Sequence, residues 1–289
     1  MRRRPHLPSR LPRCLTIAVA LLLTLLVAGP ASAGPATDQP AAPSRPRGPV
    51  YLALGDSVAF GVGASDPAVT GYVPRLHGVL REELRCWPRL DCPRLALDNL
   101  AVPGATTTSL IADQLTPAVT RLRARNWDLD PFNDVKVVTI DIGGNDAFAA
   151  VPSCLDPTTL QCKAAVDTQL STFETNFPVI LRKLRIAAGP FARVVAMTYY
   201  NPLPSCRLAP LAALGEAVLE GDTPLVERGL NDLIRSISAT YHVRVAETYG
   251  QLGPDDLVGR DDCLHPNDAG HQVIADRFAT ALGLGQQAA

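Results

Sequence analysis

Apolar and polar positions fall into blocks along this chain, and the blocks differ in length and spacing. Val50–Leu54 is an unbroken apolar run that stops at Gly55, and Val135–Ile142 is rich in β-branched residues and stops at Gly143-Gly144. Short runs of this kind fit strands covered on both faces. Leu95–Val102, which Pro103-Gly104 breaks, Arg193–Tyr199 and Val243–Glu247 read the same way. Between them, Tyr72–Leu84, Thr116–Arg125, Gln169–Ile186 and Thr223–Thr240 show helical spacing. A last helix is expected over Asp268–Leu282, with Asn267 as its N-cap and Val273, Ile274 and Phe278 on its buried face. Strands alternating with helices predict an α/β fold around a mostly parallel five-stranded sheet. Such sheets hold their ligands outside the carboxyl ends of the strands.

The first fifty residues follow a different pattern. Met1–Arg13 is basic, Leu15–Gly29 is apolar, and Ala31-Ser32-Ala33 offers the small residues that a signal peptidase reads. Residues 1–33 therefore read as a cleaved secretory signal. The apolar run is shorter than the about 20 residues needed to span a bilayer. Residues 34–49 carry five prolines and read as an extended linker. The folded domain is expected over 50–289. No later segment is apolar for long enough to cross a membrane. The mature chain is expected to be secreted, with no stable membrane insertion once the signal is removed.

Net charge is −1, but the five arginines of residues 1–33 have no acidic counterpart, so the remainder carries 22 basic against 28 acidic side chains. A weakly acidic body argues against nucleic acid as a partner. Six cysteines follow the signal: Cys86, Cys92, Cys154, Cys162, Cys206 and Cys263. An even number in an exported chain predicts disulfides. Nearness in sequence favours Cys86–Cys92 and Cys154–Cys162, which leaves Cys206–Cys263. A zinc site is the rival, but no C-x-x-C spacing occurs.

Four polar clusters stand at element ends. Ser57, in Gly55-Asp56-Ser57, directly follows the first strand and reads as an exposed nucleophile or as an N-cap serine. Ala59 rules out the G-x-S-x-G elbow. Gly104, after Asn99-Leu-Ala-Val-Pro, lets a backbone N–H approach a ligand, or simply makes a turn. Asn145, in Gly143-Gly144-Asn145-Asp146, can donate its amide to an oxyanion or close an Asx-turn. Asp262, three residues before His265, can orient the ring so that its other nitrogen acts as a base. Its rivals are a surface histidine near a helix cap, and a metal cluster of Asp255, Asp256, Asp261, Asp262 and His265. Asp261 is a second candidate partner for His265. His77, His242 and His271 are weaker candidates, and His271 reads as structural.

In this order, the four clusters resemble the blocks of the SGNH/GDSL hydrolase superfamily. The matching words are Ala53-Leu-Gly-Asp-Ser57, Asn99-Leu-Ala-Val-Pro-Gly-Ala-Thr106, Ile142-Gly-Gly-Asn-Asp146 and His265-Pro-Asn-Asp-Ala-Gly-His271. Val58 stands where the family often has Leu. The resemblance spans about residues 50–284 and implies a three-layer α/β/α sandwich of flavodoxin-like type. It implies a catalytic triad of Ser57, His265 and Asp262, and an oxyanion hole of the Ser57 N–H, the Gly104 N–H and the Asn145 amide. The three-disulfide arrangement is similar to that of secreted actinobacterial esterases and lipases. The implied activity is hydrolysis of small-molecule or lipid acyl esters by a lipase or carboxylesterase that needs no metal or cofactor. A carbohydrate O-deacetylase or a phospholipase is the runner-up, and a non-catalytic binding module is the remaining class. The chain is expected to act as a monomer.

The acyl pocket is sought among Leu52, Phe60, Tyr72, Phe148, Tyr199 and Tyr200, most of them expected in the core. Val151–Val166 and Pro202–Leu219 are the expected insertions at the site mouth. Leu208–Leu214 reads as buried packing in preference to a lid.

Overall fold

Val50–Gly55 (β1) is buried at every position, as an unbroken apolar run requires. The structure, a computed structural model, describes residues 48–83 and 95–284. After β1 come Ser57–Phe60 (α1), Tyr72–Glu83 (α2), Ala96–Asn99 (β2), Thr107–Asp113 (α3), Leu115–Asn126 (α4) and Val135–Asp141 (β3). Gly144–Phe148 (α5), Leu160–Ala188 (α6), Arg193–Met197 (β4), Ala212–Glu220 (α7), Leu230–Thr240 (α8) and Arg244–Ala246 (β5) follow. Leu257–Gly259 (β6), Asp262–Pro266 (β7) and Asp268–Ala281 (α9) complete the described elements.

Five strands form one sheet in the order β2-β1-β3-β4-β5, and every pairing is parallel. Helices α2 and α9 pack against each other, while α4 and α8 each pack on α6. The expected mostly parallel five-stranded sheet with helical cover is therefore what the chain forms. β1 lies between β2 and β3, so the connections leave it in opposite directions. The crevice between the ends of β1 and β3 is the switch point where such sheets hold ligands.

Several boundaries differ from the sequence reading. The second strand is shorter than Leu95–Val102: Leu100 and Val102 still donate to Ala53 and Gly55 but leave the ladder. Helix α6 starts at Leu160, well before Gln169, because the Thr159 hydroxyl caps it by accepting from Cys162 N–H. Its first turns are largely exposed, so they carry little apolar signal. Helix α8 starts at Leu230, because the preceding residues fold into a turn with a Gly221–Arg228 bridge. The β6–β7 hairpin was not anticipated. Phe60 is 47% exposed and is not a core residue. Among the described residues, no helix is long and apolar enough to cross a membrane.

Helix α9 ties the chain's C-terminal end to the segment after α1. The Asn267 side chain caps it, accepting from Ala269 N–H and Gly270 N–H. The Asp268 carboxylate takes Ser65 N–H at 2.7 Å, the Ser65 hydroxyl at 2.6 Å and the Thr70 hydroxyl at 2.7 Å. These donors hold its pKa down to about 2. His271 is fully buried, accepts Tyr72 N–H at Nδ1 (3.2 Å) and donates from Nε2 to Val62 C=O (3.1 Å). It is a neutral strut, as its structural reading expected, and burial lowers its pKa.

That shift fixes a pH dependence. A lowered histidine pKa contributes stability above the imidazole's ordinary range, and the contribution fades as pH falls. The gap in Tm between wild type and His271→Gln is expected to be largest above about pH 6.5 and to narrow toward about pH 5. A calorimetric gap that stays constant across this range contradicts the strut.

Candidate active site

Ser57 opens α1 at the end of β1, with Asp56 and not Ser57 as the N-cap, and is buried at 8% exposure, not exposed as the sequence suggests. Its turn is set by Asp56, whose Oδ1 accepts Val58 N–H at 2.9 Å and caps the helix. Gly55 is required before it. Its φ is +150°, and a Cβ there would lie 1.5 Å from an Asp141 carboxyl oxygen.

His265 arrives from the other end of the chain on β7. Its Nε2 lies 2.9 Å from the Ser57 Oγ across 208 positions of sequence, and its Nδ1 lies 2.8 Å from Asp262 Oδ2. Asp262 Oδ1 also accepts the N–H groups of Leu264 (2.9 Å) and His265 (3.0 Å). Burial pushes the Asp262 pKa up, but the Leu264 N–H and the His265 ring and N–H outweigh it and leave the value lowered. Asp262, and not Asp261, is therefore the ring's partner, and it is held as an anion. Hydroxyl, imidazole and carboxylate form one hydrogen-bonded line, the arrangement in which a ring can draw the proton from an alcohol. Among the described residues, no three His, Cys, Asp or Glu side chains converge as a metal ion would need.

Asn145 enters from α5, at the end of β3, and lines the same pocket as Ser57 and His265. Its Nδ2 donates to Ala105 C=O at 3.0 Å, next to Gly104. Asp146 strengthens that link, taking Thr107 N–H at 2.9 Å and the Thr107 hydroxyl at 2.6 Å. Ser57, Asn145 and His265 thus line one pocket at the ends of the strands, and Asn145 and Asp146 tie the second cluster to the third, while Gly104 itself is exposed and does not line that pocket.

A model described as the GDSL-like Lipase/Acylhydrolase family matches residues 53–273. The chain belongs to this family. It is thus an ester hydrolase of the GDSL type. Lipase 1 of Streptomyces coelicolor is 29% identical over 184 residues, which cover 61% of this chain and 60% of that protein. A lipase from a goat rumen metagenome has a structure matching 82% of this chain and 98% of its own, with a TM-score of 0.59 and 22% identity. An acetyl xylan esterase from Geobacillus stearothermophilus matches 83% of this chain and 97% of its own, with a TM-score of 0.51 and 17% identity. At these identities the two structures support the fold alone.

Beside Ser57, this GDSL hydrolase has a cavity of about 100 Å³. Its walls include Phe148, Val151, Val166, Leu214, Val218 and Leu219. Both expected insertions thus contribute walls. Within Leu208–Leu214 only Leu214 is buried; Leu208, Leu211 and Ala212 are half-buried and Ala209, Pro210 and Ala213 are exposed, so the segment is not the buried packing expected of it. Of the residues sought for the acyl pocket, Phe148, Tyr199 and Tyr200 line the cavity. Leu52 and Tyr72 are core.

Two disulfides hold these walls. Cys154–Cys162 joins the segment after α5 to the first turn of α6, and Cys154 lines the cavity. Cys206–Cys263 ties the segment before α7 to β7, beside Asp262. Each is worth about 2–4 kcal/mol by constraining the unfolded chain. The expected Cys86–Cys92 pair lies outside the described residues.

Sequence reasoning sought Tyr199 only for the acyl pocket and missed its supporting role, and it missed Asn231 altogether. Tyr199, at the end of β4, donates its phenol to Asp56 Oδ2 at 2.7 Å. Asn231, fully buried on α8, holds the Tyr199 backbone from both sides, accepting its N–H at 2.7 Å and donating to its C=O at 2.8 Å. Neither belongs to a motif. Both are linked to the site only through strand order.

Proposed function

We propose that the protein is a secreted lipase or carboxylesterase that cleaves acyl esters through an acyl-enzyme on Ser57. The observation that carries this reading is the His265 ring bridging Ser57 Oγ and Asp262 at the mouth of an apolar cavity. Ser57 Oγ attacks the ester carbonyl while His265 takes its proton, and Asp262 balances the resulting imidazolium. The tetrahedral oxyanion is met by the Ser57 N–H, the Gly104 N–H and the Asn145 amide. That amide has two N–H donors. One is used on Ala105, which leaves the other for the oxyanion. Collapse of the intermediate breaks the ester C–O bond, and His265 returns the proton to the leaving alcohol. Water, activated by the same ring, then releases the acid and regenerates Ser57.

Secretion is supported by the basic-apolar-small order of residues 1–33 and by disulfides, which persist in oxidising compartments.

The cavity also bears on the acyl group. An apolar cavity of about 150 Å³ holds a benzene ring, so about 100 Å³ suits a chain of roughly four carbons. In a panel of aryl esters, kcat/KM is expected to peak near butyrate, fall toward long chains and vanish in Ser57→Ala. Preference for acetylated sugars over butyrate would favour the carbohydrate O-deacetylase reading. Undiminished turnover by Ser57→Ala would remove the nucleophile.

Asn145→Ala is expected to lose about 10²–10³ in kcat while keeping the wild-type circular dichroism spectrum. Wild-type kcat in that variant refutes the oxyanion assignment.

A further inference from the structure

The Ser57 turn and the Asn145 turn come from different strands, yet the reaction needs them in fixed register. One side chain touches both. The Tyr199 phenol donates to Asp56 Oδ2 at 2.7 Å, and Asp56 Oδ1 caps the helix that Ser57 begins. The same ring lies against Gly144, the residue before Asn145, where an added Cβ would come within 2.6 Å of Tyr199 Cε1. Asn231 locks the Tyr199 backbone on both sides, so the ring stands on a fixed base.

We propose that Tyr199 is a positioning residue of this site, holding the Asp56 carboxylate in place and, through it, the turn that presents Ser57. The proposal rests on the hydrolase reading above and goes beyond it. Tyr199 need not touch the reacting atoms, because its oxygen is spent on Asp56. It acts by fixing where the hydroxyl and the backbone N–H of Ser57 stand, and small displacements of reacting groups lower rates steeply.

The clamp is electrostatic as well as geometric. Burial pushes Asp56 up to about 6, against the opposing effects of Val58 N–H, the Tyr199 phenol and His265. The groups facing it are Asp141 on β3, Asp146 on α5, Tyr199 and Tyr200 after β4, His265 on β7 and Tyr72 on α2. Asp146 disfavours the anion, and the phenol is one of the donors that preserve it. Without that donor, Asp56 accepts a proton more readily. Its cap on Val58 N–H then weakens as the carboxylate takes up a proton.

Tyr199→Phe removes one oxygen and keeps the ring against Gly144. It is expected to lower kcat about tenfold with KM within about twofold, and to move the acid limb of the kcat–pH profile upward by about one unit. Asp56→Asn should also lower kcat, and the double variant should lose little more than either single one. Unchanged kcat and pH limb in Tyr199→Phe overturn the proposal. So does a raised KM at wild-type kcat, which would make Tyr199 only a pocket wall, and so does full additivity with Asp56→Asn. Ser57→Ala separates the two levels: an active Ser57→Ala refutes the hydrolase reading, whereas an inactive one beside an unaffected Tyr199→Phe refutes the clamp alone.

Discussion

A single imidazole spans the two ends of this domain, and the parallel sheet is what lets it do so. His265 Nε2 meets a hydroxyl that the chain laid down at the end of its first strand, while Nδ1 meets a carboxylate on its own strand. The first contact is long-range and the second is local. β1 must therefore end at the switch point, β3 must end beside it, and the β6–β7 hairpin must carry His265 back over both. A hydrogen bond of this kind is worth only about 0.5–1.5 kcal/mol net. It cannot assemble the site, so the fold must bring the groups together first.

The words around the site show how that is done. In His265-Pro-Asn-Asp-Ala-Gly-His271, Asn267 caps α9 and also donates to Asp255 C=O and Leu257 C=O. Asp268 fastens the segment around Ser65 and Thr70, and His271 joins α9 to Val62 and to the start of α2. Polar side chains that read as chemistry in a sequence are here mostly backbone fasteners beside the one that faces the cavity. Asp56 is similar on the nucleophile side: it caps α1 and accepts the Tyr199 phenol. The site carries unfavourable burial in return. Asp141 is fully buried behind Gly55, and desolvation together with Asp56 raises its pKa well above the carboxylate range.

Much of this was legible in sequence because the signals were local. β1 announces itself by an unbroken apolar run and β3 by its β-branched residues, since both of their faces are covered. Asn267 as a cap, Asp262 three residues before His265, and Cys154 near Cys162 are all short-range relations. What escaped was long-range or weakly patterned. The first turns of α6 point largely to solvent, so only Cys162 and Val166 are buried there and the helical spacing is weak. The strands of the β6–β7 hairpin are too short to show alternation. Tyr199 and Asp56 are 143 positions apart, and only strand order brings them together. The Cys206–Cys263 pair came from setting the nearer pairs aside, and its place next to Asp262 gives it a bearing on the site.

The central claim is that the His265 ring activates the Ser57 hydroxyl beside an apolar cavity. Mass spectrometry of the protein after treatment with a short-chain organophosphonate tests it directly. One phosphonyl group per chain, mapped to Ser57 and appearing in step with loss of esterase activity, is the predicted result. Full inactivation with Ser57 unmodified, or sustained esterase activity with Ser57 fully labelled, would contradict it.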